Sequence, residues 1–223
     1  MSASLRLVLF DCDGTLVDSA AFIQQCMHKT FIEFGLSPPH EAETRAIIGL
    51  SLDQAIATLC KRPVDAEIAA MVVAYRQAFW ALRQGTRPLE PLYDGVSALL
   101  KTLYQMPNIL LGVVTGKSRR GLDAICAQNR MENFITIRTA DDCPSKPHPA
   151  MVEECCQEVG VSANQCYVVG DSIYDMQMAK AASANAVGVS WGYHSSLALK
   201  EVGADFIINT PRDLCVILNN SLR

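Results

Sequence analysis

The sequence predicts an α/β protein: a parallel sheet with helices on both faces, interrupted near its start by a block of helices. Three observations carry this. The run 5–10 is a short apolar strand pattern that ends in Asp11-Cys12-Asp13-Gly14. From about Ala20 to Gln84 the periodicity is helical only, and from Pro91 onward strand and helix patterns alternate to the end of the chain.

Strand 5–10 comes first, and Asp11 and Asp13 emerge where it ends, two residues apart and on the same side. An Asp-Gly hairpin turn is the plain alternative, but no pairing strand follows it. Cys12 lies between the two aspartates, points to the opposite side, and is expected to pack. In the helical block, Phe22, Ile23, Cys26, Met27, Thr30, Phe31 and Phe34 recur at helical spacing and Gly35 stops the helix. Helices are predicted over 41–48, 52–60 and 65–82, the last with Ile68, Met71, Val72, Tyr75 and Phe79 on its inner, core-forming face.

The alternating part predicts helix 95–104, strand 109–115, helix 119–128, strand 134–138, helix 149–159, strand 166–170, helix 174–182, strand 186–189, helix 196–202, strand 205–208 and a helix from 211. Sheets of this kind bind ligands at the carboxyl ends of their strands. Asp11, Thr115 and Asp171 all sit at such ends, and the helical block leaves from the same edge.

Composition narrows the function. Hydrophobic residues make up 50% and charged residues 19%, which suits a folded domain rather than a disordered chain. A formal charge of −4 without a basic run argues against a nucleic-acid surface, so any anion must be held by local groups. No apolar segment is long enough to span a bilayer and the N-terminus lacks a secretory pattern, so a cytoplasmic protein with no membrane partner is expected. Nine scattered cysteines with no C-x-x-C favour reduced, packed thiols over disulfides or a zinc site.

Four segments stand in order: Phe10-Asp11-Cys12-Asp13-Gly14-Thr15-Leu16-Val17-Asp18-Ser19, Val113-Val114-Thr115-Gly116-Lys117, Ser145-Lys146-Pro147 and Val168-Val169-Gly170-Asp171-Ser172-Ile173-Tyr174-Asp175. Together they resemble the four motifs of the haloacid-dehalogenase-like hydrolases, specifically the phosphatases. The resemblance implies a Rossmann-like, doubly wound core (1–18 and 90–223) and an inserted α-helical cap domain (19–89). It further implies that Asp11 is a nucleophile forming an aspartyl-phosphate and that Asp13 is the acid, then the base. Thr115, Gly116 and Lys146 would hold the transferring phosphoryl group.

Asp11, Asp13, Asp171 and Asp175 beside a phosphate monoester require a cation, and all-oxygen donors favour magnesium. The resemblance places it on the Asp11 carboxylate, the Asp13 backbone carbonyl and Asp171, with Asp175 acting through water or from behind. Lys117, with Arg119 and Arg120, opens a helix as a basic group that is either a solvated face or a substrate contact. Trp191 to His194 either line the pocket mouth or pack, His148 is expected at the surface in a proline-flanked turn, and His28 and His40 fall in the helical block.

Within the family, dehalogenases lack the second aspartate, so Asp13 disfavours them. Beta-phosphoglucomutases carry a cap histidine and a cap arginine where this chain has Ile23 and Leu52. The segment from Arg45 to Asp53, including Gly49, is the expected substrate-facing cap loop. The nearest resemblance is to phosphoglycolate phosphatases, implying a small phosphorylated metabolite as substrate and a monomer or homodimer. A pyrophosphatase, a mutase-like enzyme and an inactive binding protein of the same fold remain alternatives.

Overall fold

The structure, a computed structural model, describes residues 5–84 and 90–220. The expected boundary at 89 lies outside the described residues. Six strands form one parallel sheet: β1 (Arg6–Phe10), β2 (Ile109–Val114), β3 (Thr136–Arg138), β4 (Cys166–Gly170), β5 (Asn185–Val189) and β6 (Phe206–Ile208), in the order β3-β2-β1-β4-β5-β6. Strand order reverses beside β1, which pairs with β2 on one side and β4 on the other. That is where a doubly wound sheet opens a crevice for a ligand.

The period-two geometry of β1 divides its side chains between two cores. Val8 and Phe10 join α5 (Val96–Tyr104), α6 (Arg119–Asn129) and α10 (Asp213–Asn220) on one face. Leu7 and Leu9 join α7 (Ala150–Val159), α8 (Ile173–Ala181) and α9 (Ser196–Glu201) on the other. A strand buried on both faces has to be apolar throughout, yet Arg6 is also buried. Its guanidinium donates to the Leu218 carbonyl in the last helix, tying the first strand to the end of the chain.

The helical block contains α1 (Ala20–Glu33), α2 (Glu41–Ile47), α3 (Leu52–Cys60) and α4 (Ala66–Leu82), packed around an apolar cluster of their own that includes Phe22, Met27, Ile56, Ile68, Met71 and Phe79. Two strands of chain connect this block to the sheet and bond to each other: Asp18 N–H donates to the Pro91 carbonyl (2.9 Å) and Tyr93 N–H to that of Leu16 (3.0 Å).

Differences from the expected boundaries have local causes. Asp65 caps α4 instead of joining it, accepting from the Ile68 N–H at 2.8 Å. Asp213 accepts from the Asn209 and Thr210 N–H groups, which delays α10 by two residues. Thr115 follows β2 rather than ending it, and β3 begins only at Thr136.

Removing side-chain volume from the doubly covered strand has a defined cost. Leu9→Ala is expected to lower unfolding free energy by about 2–5 kcal/mol, read from urea denaturation, because its neighbours are fixed by strands on both sides and cannot fill the cavity.

Candidate active site

The strand ends beside β1 bring four charged side chains into contact. Asp11 follows β1, and its N–H donates to the Val169 carbonyl of β4 at 2.9 Å. Asp171 follows β4 and Asp175 lies in the first turn of α8. Lys146, from the loop before α7, places Nζ 2.7 Å from Asp11 Oδ1 and 2.6 Å from Asp175 Oδ1. All four are essentially without solvent exposure, so the surface alternative for Lys146 is excluded.

The carboxylates are held by short-range geometry. Asp171 accepts from Tyr193 N–H (2.8 Å) and Thr15 Oγ1 (3.0 Å). Gly14, at φ +91, and Gly192 approach so closely that a Cβ on either would collide with the Asp171 carboxylate. Asp175 and Ser172 form a reciprocal capping box, with Ser172 Oγ 2.6 Å from Asp175 Oδ2. Trp191 donates to the Thr15 carbonyl at 3.1 Å. The 191–194 segment thus braces the Asp171 loop from behind and does not line the cavity mouth.

Three carboxylates against one ammonium leave this buried cluster with excess negative charge. Burial pushes the Asp11 carboxyl up to about 7 against the pull of Lys146, with Asp175 adding repulsion. Burial, followed by the repulsion of Asp11 and Asp175, holds Asp171 well above the ordinary carboxylate range. Burial alone would strip Lys146 of its proton, but its two carboxylate partners override this and hold it above the usual lysine value. Asp11 Oδ2 is buried with no hydrogen-bond partner, and one oxygen from each of Asp11, Asp171 and Asp175 lies within 4.8 Å of the others. An all-oxygen, net-negative donor set with an orphaned oxygen fits a hard divalent cation.

Asp13 stands apart from that trio: its carboxylate faces Lys117 Nζ at 3.2 Å. Lys117 also reaches Glu90 Oε1 at 3.1 Å, and Glu90 pairs with Arg83. Glu90 is fully buried where the helical block rejoins the sheet. Sequence reasoning missed both Glu90 and Arg83, because an acid in a linker and an arginine at a helix end carry no local signal. The three basic residues divide in function: Lys117 faces Asp13, Arg119 pairs with Asp142 at the surface, and Arg120 stacks 4.0 Å over Trp80.

A cavity of about 900 Å³ lies between the helical block and the sheet edge. Asp11, Asp13, Thr115, Gly116 and Lys117 form its sheet side, and Lys146, Asp171 and Asp175 do not line it. Gly49 and its neighbours reach the same cavity and press on the sheet: a Cβ on Gly116 would strike the Leu50 carbonyl, a Cβ on Gly49 would come 2.8 Å from Ser172 Oγ, and Ser51 N–H donates to Ser145 Oγ at 2.9 Å. The expected inner stripe of α4 is core, but Val72, Tyr75 and Phe79 also wall the cavity. Cys12 is buried in the sheet core with its thiol held well above the ordinary range by burial, which makes it inert.

Residues 8–189 match the family model described as haloacid dehalogenase-like hydrolase. The chain is 30% identical to the probable phosphatase IndB of Dickeya dadantii over 92% of this chain and 89% of that protein. It is 29% identical to a phosphoglycolate phosphatase of Pseudomonas putida, over 94% of this chain and 78% of that one. The crystal structure of a hydrolase from Pseudomonas syringae superposes with a TM-score of 0.83 at 25% identity, covering 96% of this chain and 98% of the other.

The buried charge predicts a pH-dependent response to cations. Folded Asp11, at about 7, binds its proton more tightly than an unfolded aspartate at 3.8. Its contribution to stability is therefore full below about pH 4 and lost as pH rises through about 7. In cation-free protein, thermal unfolding between pH 4.5 and 8 should show this loss, and Asp11→Asn should reduce it. A divalent cation held by this cluster would compete with the proton, so added magnesium should stabilise the protein increasingly across the same window, by about 2.7 kcal/mol at a hundred times its dissociation constant.

Proposed function

The chain belongs to the haloacid dehalogenase-like hydrolases, and from that premise we propose that it is a magnesium-dependent phosphatase that hydrolyses a small-molecule phosphomonoester through an aspartyl-phosphate. The observation that carries this reading is Asp11: a buried carboxylate that borders the cavity, keeps Oδ2 unpartnered, and has Lys146 fixed on its other oxygen.

In the proposed sequence Asp11 attacks phosphorus, the bond from phosphorus to the ester oxygen breaks, and Asp13 delivers a proton to the departing alkoxide. Water then attacks the phosphorus of the aspartyl-phosphate, Asp13 takes its proton, and inorganic phosphate and the Asp11 carboxylate are restored. Asp13 borders the cavity beside Asp11, where both transfers take place. Its carboxylate is steadied by Lys117, which Glu90 holds in turn.

The Thr115 hydroxyl and the Gly116 N–H, which border the cavity, are assigned to the equatorial phosphoryl oxygens, and Lys146 acts from behind Asp11 as a fixed positive charge; fixed dipoles and charge of this kind lower the barrier of a loose transition state. Thr115 Oγ1 already accepts from Lys117 N–H at 3.2 Å, so the turn that carries Thr115 and Gly116 is set before substrate arrives. Asp11, Asp171 and Asp175, with the Asp13 backbone carbonyl, would hold the magnesium ion, which supplies charge neutralisation for the phosphate.

Residues 19–89 act in this reading as a cap over a core of 1–18 and 90–223. The Gly49 loop closes the cavity by its contacts with Gly116, Ser145 and Ser172, shielding the reacting phosphoryl group from bulk solvent so that fixed charges and dipoles act on it strongly. Several relatives are named phosphoglycolate phosphatase, which makes 2-phosphoglycolate a natural reference substrate.

Phosphate release from an aryl phosphate should require magnesium and be stopped by chelator. Asp11→Asn should abolish it, and Asp13→Asn should slow it at least about a hundredfold. Full activity in Asp11→Asn would rule out the aspartyl-phosphate route.

A further inference from the structure

The cavity is of a different character from what a two-carbon, doubly anionic ester requires. Its volume of about 900 Å³ is at the upper end of the roughly 300–1,000 Å³ that pockets for drug-sized ligands occupy. Beyond the Asp11 and Asp13 floor, the apolar part of the wall is Ile23 and Met27 from α1, Leu50 from the loop, Leu52 at the start of α3, and Val72 and Phe79 from α4, with uncharged Ser51 and Gln77 and the acidic Asp53 and Asp141 adding no cation.

Charge follows the same division. Among the described residues, Lys117 is the one cation lining the inner cavity, and it is already shared by Asp13 and Glu90 at 3.2 and 3.1 Å. Lys146 is enclosed between Asp11 and Asp175 and does not line the cavity. Arg76 and Arg120 stand at the exposed rim, the first 3.8 Å from Asp141 and the second stacked on Trp80. A substrate carboxylate or second phosphate next to the reacting group would lose its hydration without gaining an unshared cation. An apolar body of the same size would cover walls that are otherwise wet.

Resting on the phosphatase reading above, we propose that the substrate is a phosphomonoester whose leaving alcohol carries a large, uncharged, mainly apolar body, aromatic or aliphatic, seated between α4 and the Gly49–Leu52 loop with its outer end at Trp80. Specificity then comes from the cap walls, and Leu52 and Val72 are positions that determine it.

The test is kcat/KM with magnesium for 3-phenylpropyl phosphate, 2-phosphoglycolate and pyrophosphate; the first two have alkyl leaving groups, which limits the influence of intrinsic reactivity. We expect 3-phenylpropyl phosphate to exceed both others at least about a hundredfold, which is about 2.7 kcal/mol of transition-state discrimination. Leu52→Arg, which puts an unshared cation on the inner wall, should reduce that ratio at least about tenfold. Trp80→Ala, at a half-exposed site, should raise KM for the phenylpropyl ester alone. Faster turnover of 2-phosphoglycolate would overturn this inference and leave the phosphatase reading intact, as would a ratio unmoved by both variants, whereas pyrophosphate as the fastest substrate would overturn this inference and the phosphomonoester reading with it. No phosphate release from any of the three would overturn both.

Discussion

The constraint on which the site depends is one ammonium shared by two carboxylates in a place without water. Lys146 sits between Asp11 and Asp175 at 2.7 and 2.6 Å, fully enclosed. Breaking such a group leaves a buried charge without its partner, so each of the three depends on the others being in place. Their backbones come from separate parts of the chain, so the sheet must bring β1 and β4 side by side before the cluster can exist. The fold and the charge cluster are in this sense one object: the strand order supplies the proximity, and the lysine makes it tolerable. The excess charge that remains is what a divalent cation would neutralise, and what the protein otherwise carries as raised carboxyl groups.

A second layer of the same design is steric. Asp171 is approached so closely by Gly14 and Gly192 that neither position has room for a side chain. Backbone N–H groups can then reach the carboxylate directly, as Tyr193 does at 2.8 Å. The cap loop uses the same device: Gly116 lets the Leu50 carbonyl settle onto the turn after β2. These contacts are made of main chain and of absent side chains. They place the charged groups without adding further charges to a crowded site.

This explains what could and could not be read from the sequence. The sheet and its helices were legible because burial on two faces demands continuous apolar runs such as Val168-Val169, and covering helices demand a 3.6-residue stripe. The motif aspartates and Lys146 were legible because charged residues at strand ends in ordered segments are rare without a task. Glu90 and Arg83 were not, since their significance lies in meeting Lys117 across the junction of the two units, a contact that no local pattern encodes. Trp191 to His194 had an ambiguous signal because the group that matters most there, the Tyr193 N–H, belongs to the backbone and has no residue type. Consecutive basic residues at 119 and 120, close behind Lys117, suggested one patch, but a turn entering a helix sends neighbouring side chains in different directions.

The junction that sequence reading overlooked joins the chemistry to the cap. Asp13 meets Lys117, Lys117 meets Glu90, and Glu90 meets Arg83 at the end of α4, whose guanidinium lies 5.8 Å from the Phe22 ring and 5.1 Å from that of Phe79. The chain of charges thus runs from the cavity floor, through the point where the cap rejoins the core, into the aromatic packing of the cap. Arg83 at the end of the helical block pairs with Glu90, and Glu90 holds the lysine that faces Asp13. The carboxylate of Asp13 and the seating of the helical block are therefore joined by an unbroken series of ion pairs. Under the proposed phosphatase mechanism, the same helices that wall the cavity would also help set the position of Asp13, the group assigned to the leaving alcohol.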